Sequence, residues 1–374
     1  MKYYIISGEA SGDLHAGNLM SAIKNHDPRA EFRFWGGDHM KSQGGEQVKH
    51  YRDLAFMGFW EVILNLRVIL KNIRFCKRDI ENYRPDVLIL VDYPGFNLRI
   101  AKFAHQLKIK VVYYISPQLW AWREGRIKTI KKYVDKVLVI LPFEEKFYKD
   151  RGVEAIYVGH PLLDALSGLV PVDEQKFREE YDLGEKKIIA LLPGSRKQEI
   201  ARMLKIMLSS QLYFTDYAFV IAGAPGLSRE FYEPFLTEHV SFVSNRTYDL
   251  LGCSYAALVT SGTATLETAL LNVPEVVCYK GNAVSYKVAK RLIKNIKYIS
   301  LVNLIMGREV VRELIQNEFN TQNLTTALKN ILSKDRERIL GDYDQLRNTL
   351  GKKGASGKAA IAIMNLISEI RTNL

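Results

Sequence analysis

Cysteine is scarce in this chain: Cys76, Cys253 and Cys278 are scattered and form no CxxC pair. That usage speaks against a disulfide framework or a cysteine-based zinc site and fits a reducing compartment. Long hydrophobic runs are also missing. No stretch reaches the roughly 18–20 apolar residues of a membrane-spanning helix. The opening MKYYIISGEASGD has too short an apolar run for a secretory signal. The expected location is therefore cytoplasmic. No carboxylate–histidine cluster has metal-ligand spacing, so neither a metal nor any other cofactor is expected. The phosphate motifs fail as well. Residues 8–12 do not read GxGxxG, and residues 351–358 (GKKGASGK) follow no strand and are succeeded by Ala359 where a P-loop has Ser or Thr.

Acidic residues are the minority: 41 against 53 Lys and Arg, a net charge of +12. Such a balance suits an acidic partner, whether nucleic acid, anionic lipid or a phosphorylated small molecule. Nucleic acid is disfavoured, because no RRM, KH or helix-turn-helix signature is present. At 374 residues the chain is long for one core, and two domains are expected. Apolar strand-like runs at 2–7 (KYYIIS), 31–35, 86–91 (DVLILV), 110–115 and 136–140 alternate with helical patterns, notably around 60–83 and 97–107. A second alternating set starts at 187–192 (KIIALL) and continues at 218–222, 256–259 and 275–279. Alternation of this kind predicts an α/β protein with two Rossmann-like parallel-sheet domains. The expected division is 1–165, 166–345 and a C-terminal segment 346–374 whose helix covers about 355–371.

Three loops share one design, at 8–13 (GEASGD), 193–196 (PGSR) and 261–265 (SGTAT). Each follows an apolar strand, carries glycine and a small hydroxyl residue, and opens a helix; the first helix pattern begins at about Leu14. Glycine permits close backbone approach. A helix N-terminus offers free N–H groups and partial positive charge to an anion. Helix capping by Ser and Thr is the alternative reading. Arg196 beyond the second loop has the chemistry of a diphosphate clamp. Glu267, about one turn into the third helix, can accept from a ribose diol or serve as a first-turn acid. Asp92 ends the DVLILV run, where a carboxylate can act as general base or simply turn the chain before Pro94-Gly95. His15 and His160 lie near these loops and read as structural.

One segment suggests a lipid surface. In 57–78, Phe59, Trp60, Leu66 and Ile69 alternate with Arg67 and Lys71 among further apolar and basic residues. The pattern fits either a core helix with a solvated basic face or a helix whose cations meet anionic headgroups. Residues 285–299 carry the same ambiguity.

The motifs SGEASGD (7–13), MGFWEV (57–62), VDYPGFN (91–97), YISPQLWAW (114–122), VGHPL (158–162), LPGSRKQEI (192–200), SGTATLE (261–267) and VNLIMGRE (302–309) resemble, in order, the lipid-A-disaccharide synthases. The resemblance implies GT-B architecture, two Rossmann-like domains facing a central cleft, and inverting transfer. The substrates implied are UDP-2,3-diacylglucosamine and 2,3-diacylglucosamine 1-phosphate, giving UDP and a β-1,6-linked disaccharide in lipid A biosynthesis. A Gram-negative source and peripheral attachment to the inner face of the cytoplasmic membrane are implied too. In that reading Asp92 is the base. Gly194, Ser195 and Arg196 hold the diphosphate, and Ser261, Gly262, Thr263 and Glu267 complete the nucleotide site, with Asn303 beside it. Glu9, Ser11, Gly12 and Gln118 face the sugars. Val302, where the family usually has Pro, and Glu275, where it has an apolar residue, depart from the pattern. A different UDP-sugar enzyme, a UDP-N-acetylglucosamine 2-epimerase or a soluble-acceptor transferase, is the alternative. A homodimer, with the C-terminal helix exchanged between subunits or returned to the first domain, stays open.

Overall fold

Short apolar runs rich in Val, Ile, Leu and Tyr become buried parallel strands, because both faces of each strand meet helices. The computed structural model describes residues 1–53, 66–120, 124–281 and 297–372, which divide into two compact units. The N-terminal unit comprises Met1–Gly168 and Lys352–Leu374, and the C-terminal unit Leu169–Gly351.

In the N-terminal unit the strands are β1 (Lys2–Ser7), β2 (Glu31–Gly36), β3 (Glu46–His50), β4 (Val87–Val91), β5 (Lys110–Tyr114), β6 (Lys136–Val139) and β7 (Ala155–Tyr157). They form one parallel sheet in the order β3-β2-β1-β4-β5-β6-β7. Side chains alternate across it. Tyr3, Ile5, Val87 and Ile89 enter one core, and Tyr4, Ile6, Leu88 and Leu90 the other. The first core is closed by the helix Ala10–His26, through Leu19, Met20 and Ile23, and by the C-terminal helix Ala355–Thr372, through Ile363, Leu366 and Ile367. Cutting Ile363 to Ala there should cost about 2–5 kcal/mol. The Asp164 carboxylate accepts the backbone N–H groups of Gly354 at 2.5 Å and Ser356 at 3.0 Å, which satisfies donors at the start of that last helix.

The second core is covered in part by the helix Leu66–Tyr83, which buries Ile73, Cys76 and Ile80. Polar bonds fix it to the sheet. Asp79 takes a bidentate pair from Arg33, at 2.9 and 2.7 Å, and the Tyr4 hydroxyl at 2.7 Å. The Trp35 indole in turn donates to Tyr4 at 2.8 Å.

The C-terminal unit contains β8 (Lys187–Leu192), β9 (Tyr217–Gly223), β10 (Val240–Ser244), β11 (Ser254–Thr260), β12 (Glu275–Tyr279) and β13 (Arg312–Ile315). Their order is β10-β9-β8-β11-β12-β13, and all pairings are parallel. Among the described residues no helix is long and apolar enough to cross a membrane.

Candidate functional site

The order of each sheet says where a ligand belongs. In the first, the chain leaves β1 toward β2 and β3 and returns on the other side of β1 as β4. In the second it leaves β8 toward β9 and β10 and returns beside β8 as β11. A crevice opens at the carboxyl ends of the strands where the direction of winding reverses. Ser7 pairs with Val91, so the loops bearing Glu9 and Asp92 emerge side by side. Leu192 pairs with Val259, so residues 193–196 and 261–263 do likewise.

At the first crevice, Asp92 and Tyr93 both adopt left-handed backbone, at φ 45° and 48°. That conformation costs roughly 1–2 kcal/mol for an ordinary residue. It is held by the Asp92 carbonyl, which accepts from Asn97 Nδ2 at 2.7 Å and from the Tyr113 hydroxyl at 2.6 Å. Gly8 cannot be replaced here, because a Cβ would lie 2.4 Å from the Tyr93 ring. Asp92 lines a cavity of about 300 Å³ together with Glu9, Gln118, Arg126 and Glu144. Burial, and then the charge of Glu9, push its carboxyl up to about 6, against a smaller opposite effect from the Tyr93 backbone N–H.

The first loop is shorter than the sequence suggests. The helix begins at Ala10 rather than Leu14, with Glu9 at its N-cap, so Ser11, Gly12 and Asp13 are already helical. Asp13 fixes this start by accepting from the backbone of Gly37 and His39 at 2.6 and 3.0 Å. Gly12 is buried, and a Cβ there would meet Ser7 Oγ at 2.5 Å. Its role is close packing of helix on strand, which corrects its assignment to sugar contact. Ser11 is exposed, as is Gln118. His15 and His160 are buried, and burial pulls their imidazoles down to about 4 and about 3.

At the second crevice, Gly194 has φ +111°, a conformation that favours glycine, and Arg196 is the exposed N-cap of the helix Lys197–Ser209. The Arg196 guanidinium pairs with Glu199 at 3.1 Å. Gly262 is the N-cap and Thr263 the first residue of the helix Thr263–Leu270. The Ser261 hydroxyl donates to the Ile299 carbonyl at 3.0 Å. Glu267 accepts from the Tyr248 hydroxyl at 2.9 Å, and burial raises its carboxyl. Asn303 differs from expectation. It is fully buried, its amide nitrogen donates to Val311 O and Glu313, and its oxygen accepts from Val310 N and Val311 N. All four of its hydrogen-bonding positions are thereby used, which leaves none for a ligand. Among the described residues no group of His, Cys, Asp and Glu has the arrangement of a metal site.

The lipid-facing assignment divides. Phe59 and Trp60 lie outside the described residues, as does nearly all of 285–299. Leu66 opens the helix Leu66–Tyr83. Ile69 packs against the second core, which corrects its placement on a lipid face. The exposed apolar side chains are Val68, Leu70 and Phe75, ringed by exposed Arg67, Lys71, Arg74 and Arg78. Sequence reasoning also passed over Arg126 and Glu144 at the Asp92 cavity. Glu144 stands five residues beyond the end of β6, within reach of the strand-end rule that picks out Asp92.

Two parallel α/β units with loops gathered at their switch points define a GT-B-type fold, and solved structures of that kind are similar over almost the whole chain. A UDP-GlcNAc 2-epimerase from Neisseria meningitidis, bound to UDP-GlcNAc, has a TM-score of 0.68 at 14% identity, covering 98% of this chain and 100% of that one. The calicheamicin glycosyltransferase CalG4 has a TM-score of 0.62 at 13% identity, covering 99% and 98%. At such identities the likeness concerns the fold alone. Sequence relatives are more specific. Lipid-A-disaccharide synthases of Syntrophus aciditrophicus, Myxococcus xanthus and Coxiella burnetii are 38%, 37% and 36% identical, over 98%, 97% and 97% of this chain and 97%, 97% and 98% of theirs. The family profile for lipid-A-disaccharide synthetase matches residues 3–365. The chain belongs to the lipid-A-disaccharide synthetase family, and it is a hexosyltransferase.

Proposed function

We propose that this enzyme transfers 2,3-diacylglucosamine from its UDP derivative to the 6-hydroxyl of 2,3-diacylglucosamine 1-phosphate, with inversion. The observation that carries the reading is Asp92 at the switch point of the first sheet, within a chain that matches the family over residues 3–365. Asp92 removes the 6-hydroxyl proton, the oxygen attacks the anomeric carbon, and the bond to the diphosphate breaks. Glu9 and Gln118 face the acceptor across the same cavity. The departing UDP gathers negative charge, which Arg196, the 194–195 backbone and the start of the helix Thr263–Leu270 stabilise. Glu267 receives the ribose, and Asn303 supports the site by holding the 299–311 segment. The lipid substrates reach the enzyme at an anionic membrane surface, where the exposed face of the helix Leu66–Tyr83 binds peripherally.

The test is disaccharide formation by purified wild type and Asp92→Ala. Product from the wild type and a rate loss of at least about 10²-fold in the variant support the reaction and the base. Equal rates would remove Asp92 from that role. No product from a folded wild type that binds UDP would overturn the reaction.

A further inference from the structure

The loops after β5 and β6 form two walls of the Asp92 cavity: Pro117, Gln118 and Leu119 from the first, Ile140 and Leu141 from the second. One buried side chain ties them together. Glu144 opens the short helix Glu144–Lys149 and is 1% exposed. Its Oε1 accepts from the Trp120 indole at 3.2 Å, and its Oε2 accepts from the backbone N–H of Leu141 at 3.0 Å and of Ile140 at 3.3 Å. The Trp120 ring stands edge-on to Phe143, with centroids 5.1 Å apart. From the same short helix, the Tyr148 hydroxyl donates to the Pro117 carbonyl at 3.4 Å.

This is not a carboxylate serving its own helix. It accepts from residues that precede it in the chain and from an indole 24 positions away, rather than from the free N–H groups of the turn it begins. Its environment is unfavourable for charge, and burial raises the carboxyl to about 7. Nor would glutamine reproduce the arrangement. Three donors converge on two oxygens, and an amide would turn an NH₂ toward one of them. A carboxylate under such a penalty, with donors from two adjacent strand-end loops, is suited to fixing the distance between those loops.

We propose that Glu144 is a positioning residue for the acceptor. By clamping Trp120 to the Ile140–Leu141 turn it holds both walls of the cavity at the spacing the acceptor sugar requires, without touching the reacting atoms. The proposal rests on the reading of the Asp92 cavity as the acceptor site.

The experiment is steady-state kinetics of Glu144→Gln, Trp120→Phe and the double variant, with UDP affinity and unfolding temperature measured alongside and Asp92→Asn as reference. The expected result is an acceptor KM raised about tenfold in Glu144→Gln and about threefold in Trp120→Phe. UDP affinity stays within twofold, and the double variant is no worse than Glu144→Gln. A wild-type acceptor KM in Glu144→Gln overturns the proposal. So does a raised acceptor KM accompanied by lost UDP affinity and a lowered unfolding temperature, which marks a purely structural role. Should Glu144→Gln fail to fold, Trp120→Phe decides alone, and a wild-type acceptor KM there is fatal. Asp92→Asn separates the two levels. A lost kcat in Asp92→Asn beside an unaffected Glu144→Gln keeps the acceptor site and rejects the clamp, whereas an unaffected Asp92→Asn rejects the site itself.

Discussion

Asn97 reaches back along its helix and donates its side-chain amide to the carbonyl of Asp92 at 2.7 Å, so a residue on the helix Pro94–Gln106 holds the backbone of the strand-end acid in its left-handed turn. That fixed backbone aims the carboxylate into the cavity and keeps it half out of water, which is what raises its affinity for protons.

The first prediction concerns pH. A base must be ionised, and Asp92 loses its proton only at about 6. The acid limb of kcat/KM should therefore fall as pH drops through about 6. Glu9 contributes to the upward push, so Glu9→Gln should move that limb to lower pH. A pH–rate profile of both proteins checks it; an unmoved limb would separate Glu9 from Asp92.

The proposed diphosphate clamp at Arg196 is tested by substitution. Lysine keeps the charge but not the planar fork, so Arg196→Lys should lower kcat/KM by roughly 10–100-fold, and Arg196→Ala by more. Isothermal titration with UDP should show weakened binding in both. Transfer should survive excess EDTA, and complete loss there would show that a divalent ion carries part of this role.

A third prediction concerns stability. Glu275 is fully buried on β12, neither carboxyl oxygen has a hydrogen-bond partner, and burial followed by the charge of Glu313 raises it well above the usual carboxylate range. An acid whose folded-state pKa is raised stabilises the fold below its unfolded pKa and loses that contribution as pH rises. Glu275→Met should thus be more stable than wild type by roughly 1–3 kcal/mol at neutral pH. The difference should shrink as pH falls toward the ordinary carboxylate range. Urea unfolding at two pH values measures it, and a gain independent of pH would mean better packing alone.

The membrane reading has its own test. Val68→Ser with Leu70→Ser removes exposed apolar surface from the helix Leu66–Tyr83 without touching its buried side. Flotation with anionic liposomes should weaken several-fold while UDP affinity holds. Equal loss of both would argue for a structural face.

The strands that could be read from the sequence are those in the middle of the sheets, where β1, β4, β5, β8 and β11 run as nearly unbroken apolar stretches. The four that escaped, β3, β7, β10 and β13, are the four sheet edges. An edge strand is covered less and needs no apolar run; β3 (EQVKH) has no fully buried residue. The site divides for a related reason. Of the proposed site, Asp92, Gly194 and Arg196 are legible because each follows a strand or opens a helix in an interpretable way. Glu144 was not, since PFEEK reads as an ordinary helix start until Trp120 is seen to donate to it. Asn303 enters the site only through the resemblance of the 302–309 motif, and its four internal side-chain bonds become visible only in the structure.

The docking of Ala355–Thr372 against Ala10–His26 also sets an order of events in time. The first helix leaves the ribosome early, but its covering partner is translated after the whole C-terminal unit. At ordinary synthesis rates the interval is roughly 20–70 s. Throughout it Leu19, Met20 and Ile23 have the sheet strands to meet but lack the helix carrying Ile363, Leu366 and Ile367. The growing chain thus carries an incomplete first unit while the second is still being made, which is the period when a holding chaperone would have something to grip.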